Sequence, residues 1–193
     1  MSTITKISSN NRFWVITGLL VFLIIMTVYL NAQGRLWFSA SGDVLLWVGD
    51  AFSNENSQQL FDPYSFSHFL HGVIFFFILK YAFRNFSLES RFVASVMMEG
   101  CWEMLENSAI IINRYRDATA ALGYNGDTIY NSYGDLLSCS IGFFVARYVG
   151  LKWSILLFIA IELICLFWIK DNLTLNVIML IYPIEGIKDW QLG

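Results

Sequence analysis

Apolar residues run in long blocks along this chain, with short polar segments between them. The first block covers 13–31 and carries no charge over the 18 residues from Phe13 to Leu30. A helix needs about 20 residues to cross the hydrocarbon core of a bilayer. A signal-peptide core has only about 7–15, and no small-x-small cleavage pattern follows here, so the block predicts a retained anchor. Blocks at 63–83, 91–113, 127–149 and 153–169 also have the length of spanning helices. The first of these opens at Asp62-Pro63, a good capping residue followed by the residue favoured at the first helical position. The last apolar run, 173–184, has 12 residues. That is too short to span, and it predicts a re-entrant or interfacial helix capped at Asp171 or Asn172. Residues 32–62 form an extramembrane stretch whose Asp43–Val48 segment predicts a short amphipathic helix at the interface. The expected fold class is all-α, a polytopic membrane helix bundle. It has about five spanning helices and a short C-terminal re-entrant or interfacial helix, in one integral membrane domain over 1–193.

Composition agrees. Of 193 residues, 56% are hydrophobic and 14% charged, against about 45–50% and about 25% in soluble domains. So little charge excludes a disordered chain, a coiled coil and a disulfide-rich secreted module. A net charge of −3 leaves no footprint for nucleic acid. Cys101, Cys139 and Cys165 all lie in apolar stretches and read as small buried hydrophobes. The cations set an orientation. Lys6, Arg12, Lys80, Arg84, Arg91, Arg147 and Lys152 share one side, and Arg35, Arg114, Arg116, Lys170 and Lys188 the other. The positive-inside rule then puts the N-terminus in the cytoplasm, with 32–62, 114–126 and the C-terminal segment outside.

Ionisable groups inside such helices are costly and need a partner or a purpose. The block at 91–113 places Glu99, Glu103 and Glu106 on one helical face, with Asn113 on the same edge. The block at 127–149 carries Asp127, Asn131, Asp135 and Ser138. Its Gly134, Ser138 and Gly142 form a small-residue track that permits close helix approach. The block at 63–83 carries both histidines of the chain, His68 and His71, one helical turn apart. Counted at about 1.5 Å per residue from the outer helix ends, His71 and Asp135 lie about 12 Å deep, Glu106 about 10 Å and Glu103 about 15 Å. Three helices thus place ionisable groups at one level. The pattern predicts one polar cavity open to the outer side, lined by His68, His71, Glu103, Glu106, Asn131 and Asp135, with Arg114 and Arg116 at its rim. Plainer roles stand beside this one. The histidines can cap backbone groups, the glutamate stripe can hold the bundle together, and Asp127 can be an N-cap. Arg114 and Arg116 can be headgroup anchors, Asn172 and Asn176 can be caps, and Glu99 and Glu162 read as structural.

Several strings have a familiar look. They are His68-Phe-Leu-His71-Gly, Trp102-Glu-Met-Leu-Glu-Asn107-Ser, Asn113-Arg-Tyr-Arg116, Tyr124-Asn-Gly-Asp127, Asn131-Ser-Tyr-Gly-Asp135 and Asp171-Asn-Leu-Thr-Leu-Asn176-Val. Together they resemble an uncharacterised family of small bacterial inner-membrane proteins, a domain of unknown function, over about Gly34 to Gln191. A looser likeness is to VanZ-like membrane proteins. The resemblance implies a bacterial inner-membrane protein whose motif residues coincide with the cavity, and the orientation set by the cations turns that site to the periplasm. It brings no settled reaction.

Two histidines with several carboxylates are the ligand types of a divalent metal ion, Zn²⁺, Mn²⁺ or Fe²⁺. His68, His71, Glu103 and Asp135 are the candidate ligands, although neither a His-Glu-x-x-His nor a Glu-x-x-His spacing is present. Without a metal, a His–carboxylate pair still supplies a general base and its orienting partner. The first functional expectation is therefore a membrane-embedded hydrolase or transferase acting on a lipid or lipid-linked substrate among the membrane lipids. His68, His71, Glu103, Glu106 and Asp135 would be catalytic, and Asn107, Arg114, Arg116, Asp127 and Asn131 would bind the substrate. No serine or cysteine sits in a nucleophile motif, which disfavours an acyl-enzyme. A binding or transport protein for a proton, a metal ion or a small solute, and a structural assembly factor, are the alternatives.

Overall fold

A computed structural model describes residues 9–119 and 123–193, with side chains from residue 13 onward in the first helix. The N-terminal tail with Lys6, and the Arg12 side chain, lie outside what is described. The described residues form seven helices: α1 (Ser9–Ala32), α2 (Ser65–Ala82), α3 (Leu88–Glu106), α4 (Ala109–Ala118), α5 (Ile129–Ile169), α6 (Leu173–Ile181) and α7 (Glu185–Leu192). No strand occurs among them, only an isolated bridge between Trp47 and Phe61. Three helices are long and apolar enough to cross a membrane, at Phe13–Ala32, Ser65–Ala82 and Ile129–Ile169. Their outer faces leave Ile24, Val28, Ile164 and Phe167 exposed, a surface that water does not favour and lipid does. The molecule is an all-helical membrane protein.

The long α5 is two helical limbs. Gly150, at φ 77° and ψ 175°, breaks it, and the chain doubles back. The first limb packs on α2 through Val73, Phe76, Phe143 and Ala146. The returning limb meets α2 through Leu70, Ile161, Cys165 and Ile169. Glycines set the spacing along the first limb. A Cβ at Gly72 would overlap the Cys139 carbonyl, and one at Gly142 would overlap the Phe69 carbonyl. The expected small-residue track is therefore a backbone-to-backbone contact at Gly142. At Gly134 it makes room for the carbonyl of Leu60, from the loop before α2. Helix α1 closes the bundle with Met26 and Leu30 packed against Val96, Ile129 and Leu136.

Two expected elements differ. The block at 91–113 is not one helix. Asn107 closes α3, and Ser108 starts α4 by accepting from the Ile111 amide. Both residue types favour helix ends, and here they outweigh the apolar run that continues past them. Glu106 is thus the last residue of α3, and the depths counted inward from Asn113 do not apply. The Asp43–Val48 segment is extended rather than helical. The amides of Leu60 and Phe61 donate to the carbonyls of Leu45 and Leu46, and Val48 donates to Phe61. Buried Gln59 ties this strip together through the Leu45 amide and the Asp43 carbonyl. Cys101 is exposed rather than buried, while Cys139 and Cys165 are buried, and all three thiols are free.

The capping expectations hold in part: α2 begins at Ser65, two residues beyond Pro63, Thr128 rather than Asp127 caps α5, and Asn176 lies inside α6. Asp62 accepts from the amides of Tyr64 and Ser65 at the start of α2. Asn172 caps α6, and Glu162 accepts from the amides of Leu173 and Thr174, the structural role expected of it. The loop 33–64, α4, the segment 123–128 and the C-terminal helices gather at the end of the bundle where α2 and α5 begin. The Tyr64–Asp171 and Gln58–Gly126 hydrogen bonds join them there.

Candidate functional site

The site is built where α2, α3 and the first limb of α5 meet. One turn of α2 separates His68 from His71, so both rings point the same way, with centroids 5.3 Å apart. Opposite them, α3 presents Glu99. Its Oε1 lies 2.6 Å from His68 Nδ1, and its Oε2 lies 3.0 Å from His71 Nδ1. One fully buried carboxylate thus holds both imidazoles. The His71 ring is further fixed by stacking on Phe75 and by the edge of Trp102. One turn along α3, Glu103 Oε1 lies 3.4 Å from His68 Nδ1. Across the cavity, Asp135 Oδ2 lies 3.8 Å from His68 Nε2, and its other oxygen accepts from Ser65.

Glu99, Glu103 and Asp135 are buried, and Glu106 is half-buried. Among the described residues, every ion pair within 4.0 Å runs between one of the two histidines and Glu99, Glu103 or Asp135. Neither oxygen of Glu103 has a hydrogen-bond partner, nor has Oε2 of Glu106. Buried polar atoms are nearly always paired, so these three are exceptions that call for an explanation. Two groups of side chains have donor atoms close enough to share one ion: His68 with His71 and Glu99, and His68 with Glu103 and Glu106.

The cluster lies at the wall of a cavity of about 1390 Å³, which His68, His71, Glu106, Asp127, Asn131 and Asp135 line. Glu99 and Glu103 stand behind this wall. The cavity has two kinds of surface. Toward the loops it is polar, with Ser53, Asn54, Glu55 and Gln58. Along α2 and α3 it is apolar, with Phe75, Met97, Met98, Trp102 and Leu105. Met97, Met98 and Leu105 keep a large part of their apolar surface exposed.

The residues expected to bind substrate have other partners. Asn107 and Asp127 clasp each other: the Asn107 amide donates to Asp127 Oδ2 at 2.7 Å, and its carbonyl accepts from the Asp127 backbone at 2.7 Å. Tyr124 donates to the same carboxylate. Burial pushes the Asp127 carboxyl up to about 6, against the lowering effect of its bonds to Asn107 and Tyr124. Asn131 donates to the Gln59 carbonyl and holds the loop before α2. Arg114 donates to the carbonyls of Leu180 and Ile181 at the end of α6. Arg116 donates to the Tyr124 carbonyl and to Asn125. Neither arginine lines the cavity; each satisfies carbonyls that the chain leaves open.

The sequence pattern also passed over several groups. The sequence reads Glu99 as structural, whereas the fold sets it against both histidines. Its i, i+4, i+7 spacing with Glu103 and Glu106 was the available signal. Arg35, Tyr64, Tyr115, Tyr124 and Asp171 also line the cavity. They come from loops and short helices, where no periodicity marks a buried face.

A family described as Protein of unknown function (DUF2585) matches residues 30–193. A UPF0314 protein of Sphingopyxis alaskensis is 44% identical over 180 residues, covering 93% of this chain and 95% of that one. UPF0314 proteins of Rhizobium etli and Rhizobium meliloti are 42% and 38% identical, covering 95% and 89% of this chain and 94% and 87% of their own lengths. No solved structure matches. Over most of its length, and in the stretch that builds the His–Glu cluster, this chain belongs to the bacterial DUF2585 family, in which the UPF0314 proteins are its relatives.

Proposed function

We propose that the cavity is the active site of a membrane-embedded enzyme that hydrolyses a lipid or lipid-linked substrate or transfers a group on it. The observation that carries this reading is the two-sided cavity. Its apolar wall carries Met97, Met98 and Leu105, which stay exposed, and beside it stand two imidazoles fixed by one buried carboxylate. An amphiphile fits such a space with its chain along α3 and its headgroup among the loop residues. With Nδ1 of His71 committed to Glu99, Nε2 is the nitrogen left to take a proton from an attacking water or hydroxyl, the arrangement of an oriented general base. The imidazolium so formed is placed to return the proton to the leaving group, and Glu106 faces the same space. Glu99 is a positioning residue for both rings.

The same reading counts α3 as a further span. Its four glutamates and Arg91 keep its hydropathy low, yet it has 19 residues and lies between spanning helices. With α5 counted twice, the chain crosses the bacterial inner membrane five times, its N-terminus cytoplasmic and the cavity mouth periplasmic.

The test is turnover of bacterial membrane lipid extract by the purified protein, followed by mass spectrometry. His71→Ala is expected to lower the rate by about 10²–10⁴-fold, the usual range for a lost general base. Glu99→Gln is expected to lower it less, with kcat affected more than KM. Equal product from wild type and from a folded His71→Ala variant overturns the proposal.

A further inference from the structure

The three orphan oxygens at the site have a common geometry that proton transfer alone does not use. Glu99 is satisfied: both its oxygens lie on imidazole nitrogens at 2.6–3.1 Å. Glu103, one turn away and fully buried, has no hydrogen bond on either oxygen, and Glu106 Oε2 is likewise without one. Their nearest cationic partner is His68, and donor atoms of His68, Glu103 and Glu106 lie within 4.8 Å of one another. The His68 Nδ1–Glu103 Oε1 separation is 3.4 Å. Nδ1 is already held by Glu99 at 2.6 Å, so Nε2 is the nitrogen of His68 left for an ion.

Charge points the same way. Glu99, Glu103, Glu106 and Asp135 bring four carboxylates to a place where two imidazoles are the only basic side chains within ion-pair distance among the described residues. A divalent ion relieves that repulsion and gives the orphan oxygens a partner in one step. We propose that His68, Glu103 and Glu106 hold a divalent transition-metal ion. The imidazole favours a transition metal over Ca²⁺ or Mg²⁺, which take oxygen ligands. Glu99, holding the His68 ring from behind, is the outer carboxylate that orients a metal-binding histidine. This inference rests on the reading of the cluster as a working site. The ion would serve that site by activating a water or polarising the substrate.

The experiment is equilibrium dialysis of the chelator-stripped full chain in detergent against Mn²⁺, Co²⁺ or Zn²⁺ singly. The readouts are metal content and, for Co²⁺, the visible spectrum. The wild type is expected to retain one ion per chain. Glu103→Gln and Glu106→Gln, each keeping the side-chain shape, are expected to weaken retention by at least about tenfold. Glu89→Gln, an exposed carboxylate at the opposite end of α3, should leave it unchanged. Either glutamate variant suffices if the other does not fold. No retention of any of the three ions, or retention equal to wild type in a folded glutamate variant, overturns the proposal. Lipid turnover without bound metal sinks the metal site alone. Bound metal without turnover sinks the catalytic reading alone.

Discussion

Glu99 is the residue on which the arrangement of both imidazoles depends. Its carboxylate accepts from two rings that α2 presents one turn apart. A residue with a single acceptor or a shorter reach would hold one ring and release the other. The acids outside the spanning helices behave in a simpler way, and Asp171 offers a clean test. Burial pushes its carboxyl up to about 6, against the lowering effect of the Asn172 amide and the Asn176 side chain. An unfolded aspartate titrates near about 3.9. Between these values the folded chain binds more protons than the unfolded one, so stability falls as pH rises from about 4 to about 6. Thermal melts in detergent should show that decline, and Asp171→Asn should flatten it. A variant whose melts keep the full slope would show that other groups carry it.

At the scale of elements, two glycines do different work and should fail differently. Gly72 lies in a regular helix, and a side chain there meets the Cys139 backbone. Gly72→Ala is expected to push α2 away from α5 at a cost of about 1–3 kcal/mol. Gly150 has open space around it but sits at φ 77°. Gly150→Ala is expected to cost about 1–3 kcal/mol through backbone strain alone. Unfolding in detergent gives both values. The glycine pair also separates the two by turnover, because only Gly72→Ala displaces the histidine-bearing helix. Equal loss of turnover in both variants would contradict this.

Much of this was readable beforehand. The long apolar blocks, the two histidines on one turn and the glutamate stripe all follow a helical period. The break at Asn107-Ser108 was masked because apolar residues continue through it as Ile110, Ile111 and Ile112. Arg114 and Arg116 were misplaced to the cavity rim, since a sequence does not show which carbonyls a fold leaves open.

Across the whole molecule, one end of the bundle carries all the long loops. If the cavity mouth is periplasmic, single cysteines placed at exposed Ser41 and Asp189 should react with an impermeant thiol reagent added to intact spheroplasts. A cysteine at exposed Arg84 should react only after lysis, with Cys101 replaced in each case. Labelling of the Arg84 position from outside would invert the orientation. The absence of a loop at Gly150 has a consequence for how this chain is made. Arg147 and Lys152 flank the turn closely, so the two limbs have no tether with which to enter the bilayer one after the other. If both limbs span, they are expected to enter the bilayer together as one hairpin.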